Sequence, residues 1–79
     1  MPPEVIENPI EEPGLVWTDI VGEKSRTYVF ENSCYTIPNV VKLCVRPSGN
    51  HRVEDANGMK YIVMAGFFAI EIDAEKWTA

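Results

Sequence analysis

Near neutral pH only one side chain of this sequence can act as a general base, His51, in the stretch Gly49-Asn50-His51-Arg52-Val53-Glu54-Asp55. A nucleophile beside it would have to be a thiol or a hydroxyl. Ser25, Ser33 and Ser48 all fall in turn-like stretches, and none sits in a nucleophile elbow. Cys34 or Cys44 could meet His51 only through the fold, and nothing in their spacing favours such a dyad. Two cysteines and one histidine also lack the paired spacing that closes a zinc site. Glu54 and Asp55 are neighbours, so on a strand they point to opposite sides and cannot share an ion. Glu71, Asp73 and Glu75 would line one side of a strand, the usual pattern of a solvated face. There is no Gly-rich phosphate loop, since Ser48-Gly49 alone carries no weight. These residue types lead us to expect a non-enzymatic chain with no cofactor and no metal.

Nucleic-acid binding needs cations placed beside aromatic rings. The candidates are Lys42, Arg46, Arg52 and Lys60 with Tyr35, Tyr61 and Phe67. Acids at 54 and 55 thin this set, so a small barrel binding single strands is a remote alternative and direct nucleic-acid contact is not expected. The charge balance agrees: 12 acids against 7 bases give a net charge of -5, a poor basis for neutralising phosphates. The acidity is local. Glu4, Glu7, Glu11 and Glu12 lie in residues 1–14 with no base among them, whereas the rest is nearly neutral.

With 79 residues, 46% hydrophobic and 24% charged, the chain has the composition of one small globular domain. Its longest apolar run, Ile62 to Ile70, is far short of a membrane span. No basic, apolar-cored leader opens it, and two cysteines do not make a disulfide scaffold, so a cytoplasmic protein with reduced thiols is expected (host cytoplasm if phage-encoded). Prolines at 2, 3, 9 and 13 keep residues 1–14 out of helices and central strands, which predicts an extended acidic arm ahead of a β domain at 15–79.

From Leu15 onward the sequence alternates short strand patterns with turns. Leu15–Val21 is rich in β-formers and stops at Gly22. Arg26–Glu31 alternates Tyr28 and Phe30 against Thr27 and Val29. Pro38-Asn39 makes a corner, and a tight reversal there would set Cys34 opposite Leu43, with Cys44 on the other face. Val40–Arg46 is a strand, and Pro47-Ser48-Gly49-Asn50 a turn. Phe67–Asp73 alternates with Phe68, Ile70 and Ile72 inward, and the last residues suit one helical turn started at Asp73, with Trp77 folded back as a plug. Helical periodicity over ten residues occurs nowhere. The expected fold is all-β, a small barrel or strongly bent antiparallel meander of about six short strands.

The strongest local signal is Asn57-Gly58 between two strand patterns, the pair that two-residue type I′ hairpins prefer. That turn would pair Ala56 with Met59, Asp55 with Lys60, Glu54 with Tyr61 and Arg52 with Val63. Met59, Tyr61 and Val63 would then share one face, joined by Phe67, opposite the face of Val53 and Ile62. A body of this size can hardly cover two apolar faces. We therefore expect Met59, Tyr61, Val63 and Phe67 to meet a protein partner or a second copy, aided by Ile6, Ile10, Glu11 and Glu12 of the arm.

The functional expectation is a protein–protein interaction module. Its sharper form is a phage or mobile-element inhibitor, anti-CRISPR-like in class, that docks on a host nucleic-acid-targeting defence complex. The alternative is a virion or assembly subunit whose arm adds to a neighbour, in which case deleting residues 1–13 should leave the body folded.

Overall fold

The computed structural model describes residues 4–10 and 13–74. They form eight strands: β1 (Val5–Glu7), β2 (Thr18–Asp19), β3 (Glu23–Val29), β4 (Cys34–Pro38), β5 (Val40–Val45), β6 (His51–Asp55), β7 (Lys60–Val63) and β8 (Ala69–Ala74). Among the described residues there is no helix, hence none long and apolar enough to cross a membrane. Asp73 and Ala74 end β8, and the helical turn and Trp77 plug expected beyond them lie outside the described residues.

All pairings are antiparallel and build two sheets, ordered β1-β7-β6-β5-β2 and β4-β3-β8. The all-β expectation holds, but the sheets pack face to face rather than closing into a barrel, and the strands number eight rather than about six. Because side chains alternate along a strand, each sheet turns one row inward. Val5, Val53, Tyr61 and Val63 from the larger sheet meet Tyr28, Phe30 and Ile37 from the smaller one, with Val40 at the junction.

That junction is Pro38-Asn39. Asn39 takes a left-handed φ of 54°, which asparagine tolerates better than most residues. Its N–H donates to the Lys24 carbonyl at 2.7 Å, and its own carbonyl accepts from Ala56 N–H at 2.8 Å. The corner therefore hands the chain from one sheet to the other. The hairpin expected between residues 34–37 and 40–46 does not exist: β4 pairs with β3, and β5 pairs with β6 and β2. Cys34 and Cys44 lie in different sheets, both as free thiols.

The hairpin between β6 and β7 differs from expectation by one residue, with large effect. Its loop has three residues, Ala56-Asn57-Gly58, closed by Asp55 N–H to Met59 O at 3.0 Å and Gly58 N–H to Asp55 O at 3.0 Å. Gly58 takes φ +83°, whereas Asn57 does not enter the positive-φ region that a type I′ turn would demand. The reason is the Asp55 carboxylate. One oxygen accepts from Asn57 N–H at 2.9 Å and Met59 N–H at 3.0 Å, and the other accepts from the Tyr61 hydroxyl at 3.0 Å. Glu54 consequently pairs with Lys60, Val53 with Tyr61 and His51 with Val63. A one-residue slip moves every side chain of a strand to the opposite face. Tyr61 and Val63, expected on a bare surface, are 7% and 0% exposed in the core. Phe67 is likewise half-buried against the core, and it is Phe68, expected inward, that lies exposed ahead of β8.

The N-terminal segment is extended as expected, but it does not stand apart from the body. β1 pairs with β7, matching Val5 with Val63, Ile6 with Ile62 and Glu7 with Tyr61, and Val5 is buried. The Tyr35 hydroxyl on β4 donates to Glu7, tying this edge strand to the other sheet. Burial and the bond to Glu7 push the Tyr35 hydroxyl up to about 12. The Tyr61 hydroxyl, buried and bonded to Asp55, is also pushed up to about 12.

Two stability results should follow. Asp55→Ala, which orphans three donors, should cost about 3 kcal/mol in urea unfolding, and Asp55→Asn clearly less because one acceptor oxygen stays. A loss below about 1 kcal/mol would show that the carboxylate does not hold the register. Val5→Ala should cost about 2 kcal/mol, and deleting residues 1–13 should cost at least as much, because it strips a core side chain and uncovers β7. A truncated chain with unchanged unfolding would contradict the docking of β1.

Candidate functional site

β1 and β2 occupy opposite edges of the five-stranded sheet. The chain between them must cross four strand spacings, about 19 Å, which ten residues span with slack. The inner face is packed against the other sheet, so the crossing runs over the outer one. That face carries two rows set by the register. Asp19, Lys42, Glu54 and Lys60 form a row of alternating charge, with Lys60 Nζ 3.9 Å from Glu54. Cys44, Arg52, Ile62 and Ile6 form the second row.

Between the crossing segment and this face lies a cleft of about 150 Å³. Pro9, Ile10, Gly14, Leu15 and Trp17 wall it from the crossing side, and Arg52, Lys60 and Tyr61 from the sheet. Trp17 and Leu15 are half-buried, whereas Ile10 is 93% and Val16 80% exposed. The arrangement combines an aromatic ring and aliphatic side chains with two cationic ones. Prolines at 9 and 13 each lack a ladder donor, in keeping with the absence of a strand among the described residues 8–10 and 13–17. Leu15–Val21, read as a strand, shortens to Thr18–Asp19 because its first residues lie over the sheet instead of beside it.

Of the expected contact residues, the structure places Ile10 and Tyr61 at this cleft, Tyr61 from beneath. Ile6 is partly exposed on the same outer face. Met59 is partly exposed beside the hairpin loop. Val63 is wholly buried, and Phe67 is half-buried against the core. Glu11 and Glu12 lie outside the described residues. Trp17, Leu15, Arg52 and Lys60 were missed as a set, although a tryptophan three residues after Pro13-Gly14 marks an anchor outside a regular strand.

The residues weighed for chemistry are held in other ways. Cys44 lies on the outer face and His51 on the inner one, since Cys44 pairs with Arg52 and His51 with Val45, so the two make no dyad. His51 Nδ1 is 2.8 Å from the Tyr28 hydroxyl. Among the described residues no group of three or more His, Cys, Asp or Glu side chains could hold a metal ion. No protein-family model, no curated protein and no solved structure matches the chain.

The two thiols differ in burial. Cys34 is exposed, whereas Cys44 is 4% exposed despite its outward direction. A thiol reagent should modify one sulfur rapidly and the second only on unfolding, and Cys34→Ala should abolish the fast phase. Rapid modification of both in the folded protein would mean that the outer face is open.

Proposed function

We propose that this chain is a protein–protein contact module without catalysis of its own, and that its contact surface is the crossing segment over the five-stranded sheet. The observation that supports the reading is the exposure of Ile10 and Val16, at 93% and 80%, along one connection that also carries Trp17. Isolated apolar side chains are ordinary on surfaces. Two of them within seven residues, on a connection that walls a cleft with an aromatic ring, resemble the centre of an interface more than a solvated loop. In the finer form of the reading, the partner is a basic surface of a host nucleic-acid-targeting defence complex, which the chain inhibits by occupying it. The support for that form is the net charge of -5.

Immobilised chain should retain a specific protein from a lysate of the cell in which it acts. The double variant Ile10→Asp with Val16→Asp should lose at least tenfold of that retention while its circular dichroism is unchanged, since both side chains are exposed. Equal retention by the double variant removes this surface from the reading. For the finer form, retention should weaken with added salt and be displaced by nucleic acid, and insensitivity to both would exclude it.

A further inference from the structure

We propose that Tyr28 and His51 form an acid-released latch between the two sheets. The argument starts from the polarity of one buried hydrogen-bond chain. Arg26 of β3 donates from Nε to Glu23 Oε1 at 2.7 Å and from Nη2 to Glu23 Oε2 at 3.0 Å. Its Nη1 lies 3.4 Å from the Tyr28 oxygen. A guanidinium has donors only, so Tyr28 accepts from Arg26 and must donate its own proton elsewhere. Tyr28 is 0% exposed, which leaves no water to receive that proton. The acceptor in place is His51 Nδ1, at 2.8 Å on β6 of the opposite sheet. The chain of bonds therefore runs in one direction, from the Arg26 guanidinium through Tyr28 to a neutral imidazole whose proton sits on Nε2.

A second proton on His51 reverses the last link. Nδ1 becomes a donor and faces the Tyr28 hydroxyl head-on, and one of the two buried donors loses its acceptor. The groups facing His51 offer the charge no relief. Arg26 on β3 is a cation, and its partner Glu23 is already bonded to it in bidentate fashion. Val45 on β5 and Val63 on β7, which flank His51 in register, are apolar, as is Phe67 from the loop before β8. Burial and the charge of Arg26 hold His51 below its usual 6.5. Burial raises the Tyr28 hydroxyl, so it stays protonated throughout. Phe67 packs edge-on against both latch rings, 5.0 Å from Tyr28 and 5.0 Å from His51. Opening the latch would thus loosen the 64–68 loop, whose Phe68 N–H is bonded to the Val29 carbonyl at 3.0 Å.

The sign of the pH effect follows. The unfolded chain takes up the proton near 6.5 and the folded chain only at lower pH, so stability is complete above 6.5 and falls as pH drops toward the folded value. The chain has one histidine, so its ring resonances in the full-length protein titrate without ambiguity. The expected result is a midpoint below 6.5 with the Nε2–H tautomer at neutral pH, and loss of Phe68 amide protection at that same midpoint. Tyr28→Phe, which removes the donor to Nδ1, should move the midpoint upward. A midpoint at or above 6.5, an Nδ1–H tautomer, a downward shift in Tyr28→Phe, or Phe68 protection that ignores the titration would each overturn the latch. If Tyr28→Phe does not fold, the wild-type midpoint, tautomer and Phe68 protection decide alone.

Discussion

The Asp55 carboxylate decides which surface this protein has. It gathers two backbone N–H groups of the turn and the hydroxyl of Tyr61, and so fixes a three-residue loop in place of a two-residue one. Strand side chains alternate with a period of two. The choice of loop therefore settles, in one step, whether Tyr61 and Val63 fill the core or face water. With them inside, β7 has a side for β1 to join, and Val5 completes the apolar cluster. With them outside, the same sequence would present the greasy face that first inspection of the hairpin leads one to expect.

A second constraint joins the two sheets through polar atoms rather than apolar ones. Glu23 and Arg26 form an ion pair whose side chains are only a few per cent exposed. Burial works against the charge of Arg26, and the bonds to Glu23 and Tyr28 outweigh it, so its pKa lies above the ordinary value. Such pairs add little net stability, but they are costly to break and specific in geometry. Here the specificity passes along Tyr28 to His51 and thereby sets the alignment of one sheet on the other. Tyr35 and Glu7 repeat the device at the opposite edge, between β4 and β1.

The proposed contact surface follows from this inward packing. With Tyr61 and Val63 of the hairpin taken into the core, Ile10 and Val16 on the connection that crosses the outer face are among the most exposed apolar side chains of the described residues. A connection short of ladder donors cannot join a sheet, yet it has to bridge strands at opposite edges. On that face Cys44 is 4% exposed, while Ile10 and Val16 of the connection face outward. The proposed contact reading therefore rests on a different part of the chain from the residues that first prompted it.

The sequence by itself determined the class of fold, the corner at Pro38-Asn39, the extended form of the N-terminal segment and the common face of Tyr28 and Phe30, because these rest on local alternation and on restricted φ. It also held a clue to the register: Asp55-Ala56-Asn57-Gly58 has aspartate and glycine where a type I turn wants its first and last residues. The nearer pair Asn57-Gly58 masks that clue. Only the tertiary structure decided between the two turns, since the carboxylate gains its third bond from Tyr61 once that ring is buried. It alone decided that Val5 belongs to the core, that Trp17 and Arg52 share a cleft, and that Glu23, Arg26, Tyr28 and His51 form one chain of bonds. Each of these joins residues far apart in sequence or in different sheets, and no local pattern encodes a distance that only packing brings about.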